Sequence, residues 1–269
     1  MNTDPAVAGS PYVVSRHEGG LVTLTLNRGD RFNPLSLAMI QALEHELDSL
    51  HSDTTARVVV LAAAGRGFCA GHDLRELRDR ADDGDWQREL FDSCAHMMLK
   101  ITRLPVPVIA RVHGIATAAG CQLVSMCDLA IASSQASFAL PGVNIGLFCS
   151  TPAVGVVRNI GRKRSMQMLL TGQSIDARTA EQWGLVNRVV EPEALDDAVS
   201  DLTQQIMSRS ARVIELGKRA FYSQAEMDVA GAYELAGEAM MENMELEDAR
   251  EGISAFLDKK PRASKPAVG

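Results

Sequence analysis

The chain has no apolar run near the roughly 20 residues a membrane-spanning helix needs. Its opening residues, MNTDPAVAGS, carry neither a basic region nor an apolar stretch, so the expectation is a cytoplasmic protein without a signal or transit peptide. Cysteine is sparse and unpatterned. Cys69, Cys94, Cys121, Cys127 and Cys149 form no Cys-x-x-Cys pair, and an odd set of this kind suits buried, reduced thiols. His17, His45, His51 and His96 show no metal-ligand spacing, so no metal site is expected. No Gly-x-Gly-x-x-Gly follows a strand pattern, which excludes a dinucleotide-binding dehydrogenase. Positive charge is also short: 27 Lys and Arg face 34 Asp and Glu, a net charge of −7. That balance argues against nucleic acid or a membrane surface as partner. The helical pattern SLAMIQALEHELDSLH holds no Lys or Arg at all, whereas binding RNA through its phosphates needs several.

What is present is a sizeable core: 46% of the residues are hydrophobic and 23% charged. YVVSRHEGGLVTLTLNR reads as a hairpin around Glu18-Gly19-Gly20. Leu37, Ile40, Leu43, Leu47 and Leu50 recur at helical spacing, with Asn33 or Ser36 as cap. RVVVLAAA, from Arg57, is a strand buried on both faces, followed by the turn GRGFCAG and a polar helix. VIARV, then HGIATAAG, then a helix from about Ala118 to Met126 repeats the design, and DLAIAS with SFALPGVNIGLF repeats it again. Strand, small-residue turn and helix in succession predict an α/β spiral. Beyond Arg162 only LVNRVV reads as a strand, and amphipathic helices dominate to Leu257. The expected organisation is a flexible start at 1–10, a core over 11–200, a helical region over 201–260 and a frayed tail at 261–269. The Met pairs, Met97-Met98 and Met240-Met241, read as ordinary helix packing.

Two turns share one chemical design. GRGFCAG leading into His72-Asp73, and GIATA leading into Ala119-Gly120, each present a backbone N–H after small residues. Two such donors aimed at one point favour negative charge on a carbonyl oxygen. The first side chain after the second turn suited by place to proton chemistry is Gln122, which neither takes nor gives a proton.

NRGDRFNPLS, VVVLAAAGRGFCAGHDLREL, HGIATAAGCQLVSMCDLAIAS, FALPGVNIGL, LLTGQSIDARTAEQWGLVNRVV and EGISAFLDKKPR together resemble the crotonase, or enoyl-CoA hydratase/isomerase, superfamily in order and spacing. The details AAGCQLV and PGVNIGLFCSTP resemble one particular branch of it. The resemblance implies a spiral of ββα units with a C-terminal helical trimerisation region, assembled as a homotrimer or a dimer of trimers. It implies an acyl-CoA thioester whose carbonyl lies between the N–H groups of His72 and Ala119, coenzyme A arriving with the substrate and no separate cofactor. By the same resemblance Arg31, Ala70, His72, Asp73 and Leu74 border the CoA moiety, and Lys259 or Lys260 reaches the nucleotide of a neighbouring subunit. Asp73 also reads as a helix cap. His113 reads as structural. Cys149 reads as pocket lining, and the His72 imidazole as lying beside the CoA moiety or facing solvent.

The departures matter as much. The three positions where family members place catalytic carboxylates fall on Gln122, on Gly142 after Pro141, and on or beside Ser150, and none is acidic here. Each positioned acid or base is worth about 10²- to 10⁴-fold in rate. The expectation is therefore an acyl-CoA enzyme that stabilises a thioester enolate but hydrates poorly, decarboxylation of a β-carboxyacyl-CoA being the most economical chemistry. The alternative is a non-catalytic acyl-CoA-binding or regulatory protein.

Overall fold

The computed structural model describes residues 10–259. Lys260, nearly all of the start segment 1–10 and the tail at 261–269 lie outside the described residues. The chain divides into two compact units, the first ending at Met207 and the second beginning at Ser208. That division follows the end of a helix, whereas the expected one at residue 200 falls inside it.

In the first unit, β1 (Val13–Glu18) and β2 (Leu21–Leu26) form the expected hairpin, closed by Gly19 and Gly20, both at positive φ. A two-residue turn of that hand asks for φ > 0 at both central positions, which glycine supplies without strain. Helix α1 (Leu37–His51) takes Ser36 as its cap, the hydroxyl oxygen accepting from the Met39 N–H. Asn33 is used elsewhere. β3 (Val58–Ala63) is buried throughout and shows why the run is continuously apolar. Val59, Leu61 and Ala63 join one core cluster, while Val58, Val60 and Ala62 join another on the opposite face of the sheet.

The chain continues through α2 (Leu74–Asp79) and α3 (Gly84–Arg103) to β4 (Val108–Val112) and β5 (Ile115–Thr117). Then come α4 (Ala119–Met126), β6 (Leu129–Ser133) and β7 (Ser137–Ala139). They are followed by α5 (Ser150–Ile160), α6 (Arg162–Thr171), β8 (Ile175–Asp176), α7 (Ala177–Trp183), β9 (Arg188–Val190) and α8 (Leu195–Met207). A six-stranded sheet runs β1-β2-β3-β4-β6-β9, parallel from β2 onward, and a smaller sheet runs β5-β7-β8. Two successive turns of the spiral each give one strand to the large sheet and the next to the small one: β4 then β5, β6 then β7. The small-residue stretches read as turns thus contain strands of their own, too short to show a period. β8, of two residues, is a second strand past Arg162. Leu195, Ala198 and Val199 of α8 pack with Val58, Val60 and Ile131, which keeps α8 with the sheet.

The second unit comprises α9 (Ala211–Gln224), α10 (Val229–Glu245) and α11 (Glu247–Leu257). Arg219 pairs with Glu242 at 2.7 Å, and the Ser210 hydroxyl donates to Asp248 at 2.8 Å. Neither α10 nor α11 buries a single residue. Met97 and Met98 pack in the core as expected; Met240 and Met241 do not, being 61% and 67% exposed, and Tyr233 and Phe256 of the same unit are exposed as well.

Candidate active site

The two small-residue turns meet, and backbone pairing brings them there. Phe68 and Cys69 donate to the Ile115 carbonyl, and Thr117 returns an N–H to Cys69, so an isolated parallel bridge at Cys69 ties this turn to β5. The Thr117 hydroxyl donates to the Ala70 carbonyl at 3.0 Å. Leu35 donates to Gly71 and accepts from Asp73. In a parallel pairing that pattern turns the N–H of the intervening residue, His72, away from Leu35. Across from it, Ala118 donates to Ala139 and adopts φ 50°, ψ −119°, a conformation that L-residues avoid. Ala119 is the first residue of α4, so its N–H has no acceptor within the helix. The contact is close. A methyl group on Gly71 would sit 3.0 Å from the Ala118 Cβ and 3.2 Å from the Ala119 nitrogen, and one on Gly120 would fall on the Cys69 carbonyl. Two outward N–H groups on abutting turns are suited to an oxygen that gains negative charge.

One buried residue that sequence reasoning assigned only as an alternative cap holds this region. Asn33, at φ 50°, donates its amide hydrogens to the carbonyls of Ala64, Gly67 and Phe68 at 2.9–3.1 Å. Its Oδ1 accepts the Arg28 N–H at 2.8 Å. Asn tolerates the left-handed region better than other side-chain-bearing residues. The signal was the local NRGDRFNP, where a polar side chain precedes a proline.

Asp73 caps α2 as expected, accepting from the Arg75 N–H, and its other carboxylate oxygen holds Arg31 at 2.7 Å. Arg31 keeps 42% of its side chain exposed, so a cation remains at the rim of the turn that bears His72. Leu74, just beyond, is exposed, and Lys259 is exposed in the second unit. The His113 ring bonds the Gly65 carbonyl at 2.9 Å, a structural role.

The His72 imidazole departs from its expected place. It stands edge-on to Phe91 of α3, ring centroids 5.3 Å apart, and its Nε2 is buried without a hydrogen-bond partner. Burial lowers its pKa to about 4, so the ring is neutral at physiological pH. The Met97-Met98 pair pointed to a helix here, but nothing in the sequence singled out Phe91 as the neighbour of His72.

The three acid positions have different fates. Gln122 is buried on α4, one turn past Ala119. Gly142 is buried, packed against the sulfur of Cys149 and the Leu147 carbonyl. Ser150 is exposed, its hydroxyl turned to the Phe148 carbonyl. Cys149, beside it, faces inward, and burial raises the pKa of its thiol, as it raises those of Cys69, Cys94 and Cys121 to about 12. All five cysteines are buried, and none is in a disulfide. Among the described residues no group of His, Cys, Asp and Glu is placed to hold a metal ion, and no helix is long and apolar enough to cross a membrane.

Residues 16–265 match the enoyl-CoA hydratase/isomerase family. A curated relative from Danio rerio, "Enoyl-CoA hydratase domain-containing protein 3, mitochondrial", is 43% identical over 93% of this chain and 86% of its own length. The crystal structure of an enoyl-CoA hydratase from Mycobacterium smegmatis is 50% identical, with a TM-score of 0.92 over 95% of this chain and 99% of that one. That of human enoyl coenzyme A hydratase domain-containing protein 3 is 41% identical, with a TM-score of 0.90 over 94% and 99%.

Proposed function

The chain belongs to the enoyl-CoA hydratase/isomerase family, and on that premise we propose that it binds an acyl-CoA thioester with the acyl carbonyl oxygen between the N–H groups of His72 and Ala119. The observation that carries this reading is the meeting of the two turns, each with an outward N–H, at the Gly71–Ala119 contact. Electron density withdrawn toward that oxygen makes the α-carbon acidic and stabilises an enolate. CoA itself lies along Arg31, Ala70, Asp73 and Leu74, with Arg31 toward its phosphates. Lys259 or Lys260 serves a neighbouring copy in a homotrimer or a dimer of trimers. No cofactor beyond the substrate's own coenzyme A takes part.

Adding water across an enoyl double bond needs a base for the water and an acid for the α-carbon. Neither Gln122 nor Gly142 supplies one, Ser150 points outward, His72 is neutral, and the Cys149 thiol holds its proton. Hydration is therefore slow. Loss of carbon dioxide from an acyl thioester that carries a carboxylate on its α-carbon generates the enolate with no protein acid, water then supplying the proton to that carbon, and is the reaction the site supports best. The absence of any poised acid or base equally favours a second reading, an acyl-CoA binder without turnover. The chain was expected in the cytoplasm, whereas the Danio rerio relative is by name mitochondrial. Titration with crotonyl-CoA followed by a spectrophotometric hydration assay tests the main reading. Tight binding with hydration orders of magnitude below an ordinary hydratase supports it, and full hydratase turnover overturns it.

A further inference from the structure

Asp and Glu make up 34 of the 269 residues, yet none lies between Asp128 and Asp176. Over the same stretch the chain carries four cations, Arg158, Arg162, Lys163 and Arg164, all of them exposed. The net charge of −7 argues against an anionic partner for the chain as a whole, but this segment reverses the sign locally. Two of the cations serve the fold: Arg164 donates to the Trp183 carbonyl at 3.1 Å and lies over its ring, and Arg158 donates to the Val154 carbonyl at 2.9 Å. Arg162 and Lys163 pair with no described residue. The same segment exposes apolar side chains. Helix α6 buries Ser165, Met168 and Leu169, and on its other side Arg162, Lys163, Met166 and Leu170 share an arc of about 100°. α6 packs against α5 and against the turn Pro141–Ile145, and a methyl group on Gly172 at its end would touch the Asn144 side chain. On these adjoining elements Ile145, Leu147, Phe148, Val154, Met166 and Leu170 are 44–62% exposed. Single exposed apolar residues are ordinary, whereas six of them beside unpaired cations mark an interaction surface.

Two demands narrow the partner. It must be anionic, and it must take up apolar side chains borne on a helix and on five successive exposed loop residues, 144–148. Nucleic acid meets the first demand and not the second, since Phe148 is the one aromatic ring the patch offers for base stacking. A second copy of this chain, placed symmetrically, would set the four cations against their own counterparts. A bilayer with anionic headgroups meets both demands, the cations lying in the headgroup layer and the apolar side chains just below it. We propose that this face docks the protein on the surface of an anionic lipid bilayer. Ile145, Leu147, Phe148, Met166 and Leu170 enter the interface, and Arg162 and Lys163 hold headgroup phosphates. The contact is peripheral, and it is independent of the thioester reading above.

Sedimentation of the wild-type protein with sucrose-loaded vesicles, of phosphatidylcholine alone or of an equimolar mixture with phosphatidylglycerol, tests it. The mixed vesicles bind the protein at least about tenfold more tightly than the neutral ones. Raising the salt from about 0.1 M to about 1 M removes most of that difference, because the Debye length shrinks from about 10 Å to about 3 Å. Arg162→Gln with Lys163→Gln weakens binding to the mixed vesicles by about 25-fold, about fivefold for each cation near the membrane. Ile145→Ser with Leu170→Ser weakens it by about tenfold or more. Both variants keep the wild-type circular dichroism and the wild-type assembly size by light scattering. Wild-type protein that ignores the mixed vesicles, or binds the neutral ones equally, overturns the proposal, and retention by RNA in their place assigns the face to nucleic acid. Folded variants that bind as tightly as wild type overturn it too. So does a change of assembly size in either variant, which places a second copy on this face. The wild-type comparison of the two vesicles decides the matter if neither variant folds.

Discussion

A β-carbon on Gly142 would lie 3.0 Å from the sulfur of Cys149 and 2.9 Å from the Leu147 carbonyl oxygen. The backbone of Gly142 is not in the left-handed region, so what bars a side chain is space. A larger side chain at this position finds no volume here, because Leu147 and Cys149 fill it. Gly142→Ala therefore destabilises the fold by about 1–3 kcal/mol, the usual cost of overpacking, read as a lowered midpoint in urea. Gly142→Glu does not restore a working acid, and the purified variant shows no gain in crotonyl-CoA hydration.

Gln122→Glu behaves differently. It is nearly isosteric with a residue already accommodated, and the start of α4 favours an acidic group. It folds with a melting temperature close to wild type. One positioned acid or base contributes about 10²-fold or more, so hydration of crotonyl-CoA rises by that order and stays below a two-carboxylate enzyme. A folded variant with wild-type hydration would show that the acyl group does not approach this position.

Much of this was legible in the sequence, and the reasons are physical. β3 announced itself because burial on both faces makes a strand uniformly apolar. α1 did so because five buried side chains share one stripe. β5, β7 and β8 have three, three and two residues, too few for alternation to register against the small residues around them. The turns carrying His72 and Ala119 were visible as local patterns. Their meeting was implied by the family resemblance and not by the local patterns, because it depends on pairings such as Ala118 to Ala139 and Leu35 to Gly71.

Stability depends on pH through His72. Its pKa is about 4 in the fold and near 6.5 in the unfolded chain. Between those values the unfolded state binds a proton that the native state refuses, so stability is full above about pH 6.5 and falls as pH drops toward about 4. The loss is of the order of 3 kcal/mol. His113, also lowered by burial, adds in the same direction. In His72→Phe, urea midpoints measured across this range decline less steeply than in wild type.

Asn33→Ala strands three carbonyls and one N–H around the turn after β3. The expected cost is about 3 kcal/mol. Asn33→Asp is no gentler, since a carboxylate oxygen then faces carbonyls that need a donor. Chemical denaturation followed by tryptophan fluorescence measures both, and a loss under about 0.5 kcal/mol for either would contradict the role given to Asn33.

Arg31 is already engaged with Asp73 and still presents part of its guanidinium outward. Arg31→Gln weakens acyl-CoA binding by about tenfold and flattens the dependence of Kd on salt, because one phosphate-facing charge is lost. An unchanged salt slope would place the CoA phosphates elsewhere.

Tyr233, Met240, Met241, Met244 and Phe256 leave the second unit with more exposed apolar surface than an isolated helical module sustains in water. Light scattering gives a trimer or hexamer, and Met240→Glu with Met241→Glu shifts it toward monomer. A clean wild-type monomer at micromolar concentration removes any part for Lys259 or Lys260 at a shared site.

The parallel order of the large sheet also governs how the molecule is made. From β2 onward no two neighbouring strands are joined by a hairpin, so each pairing waits for a long crossover to close. Chains built on such distant pairings refold slowly. The outward N–H groups of His72 and Ala119 come together only after β3, β4 and the 68–70 segment have docked. During refolding from urea, native-like helical signal should return well before the capacity to bind a thioester. Throughout that interval the apolar helices of the second unit are already exposed, which makes aggregation during expression a race against the closing of the spiral.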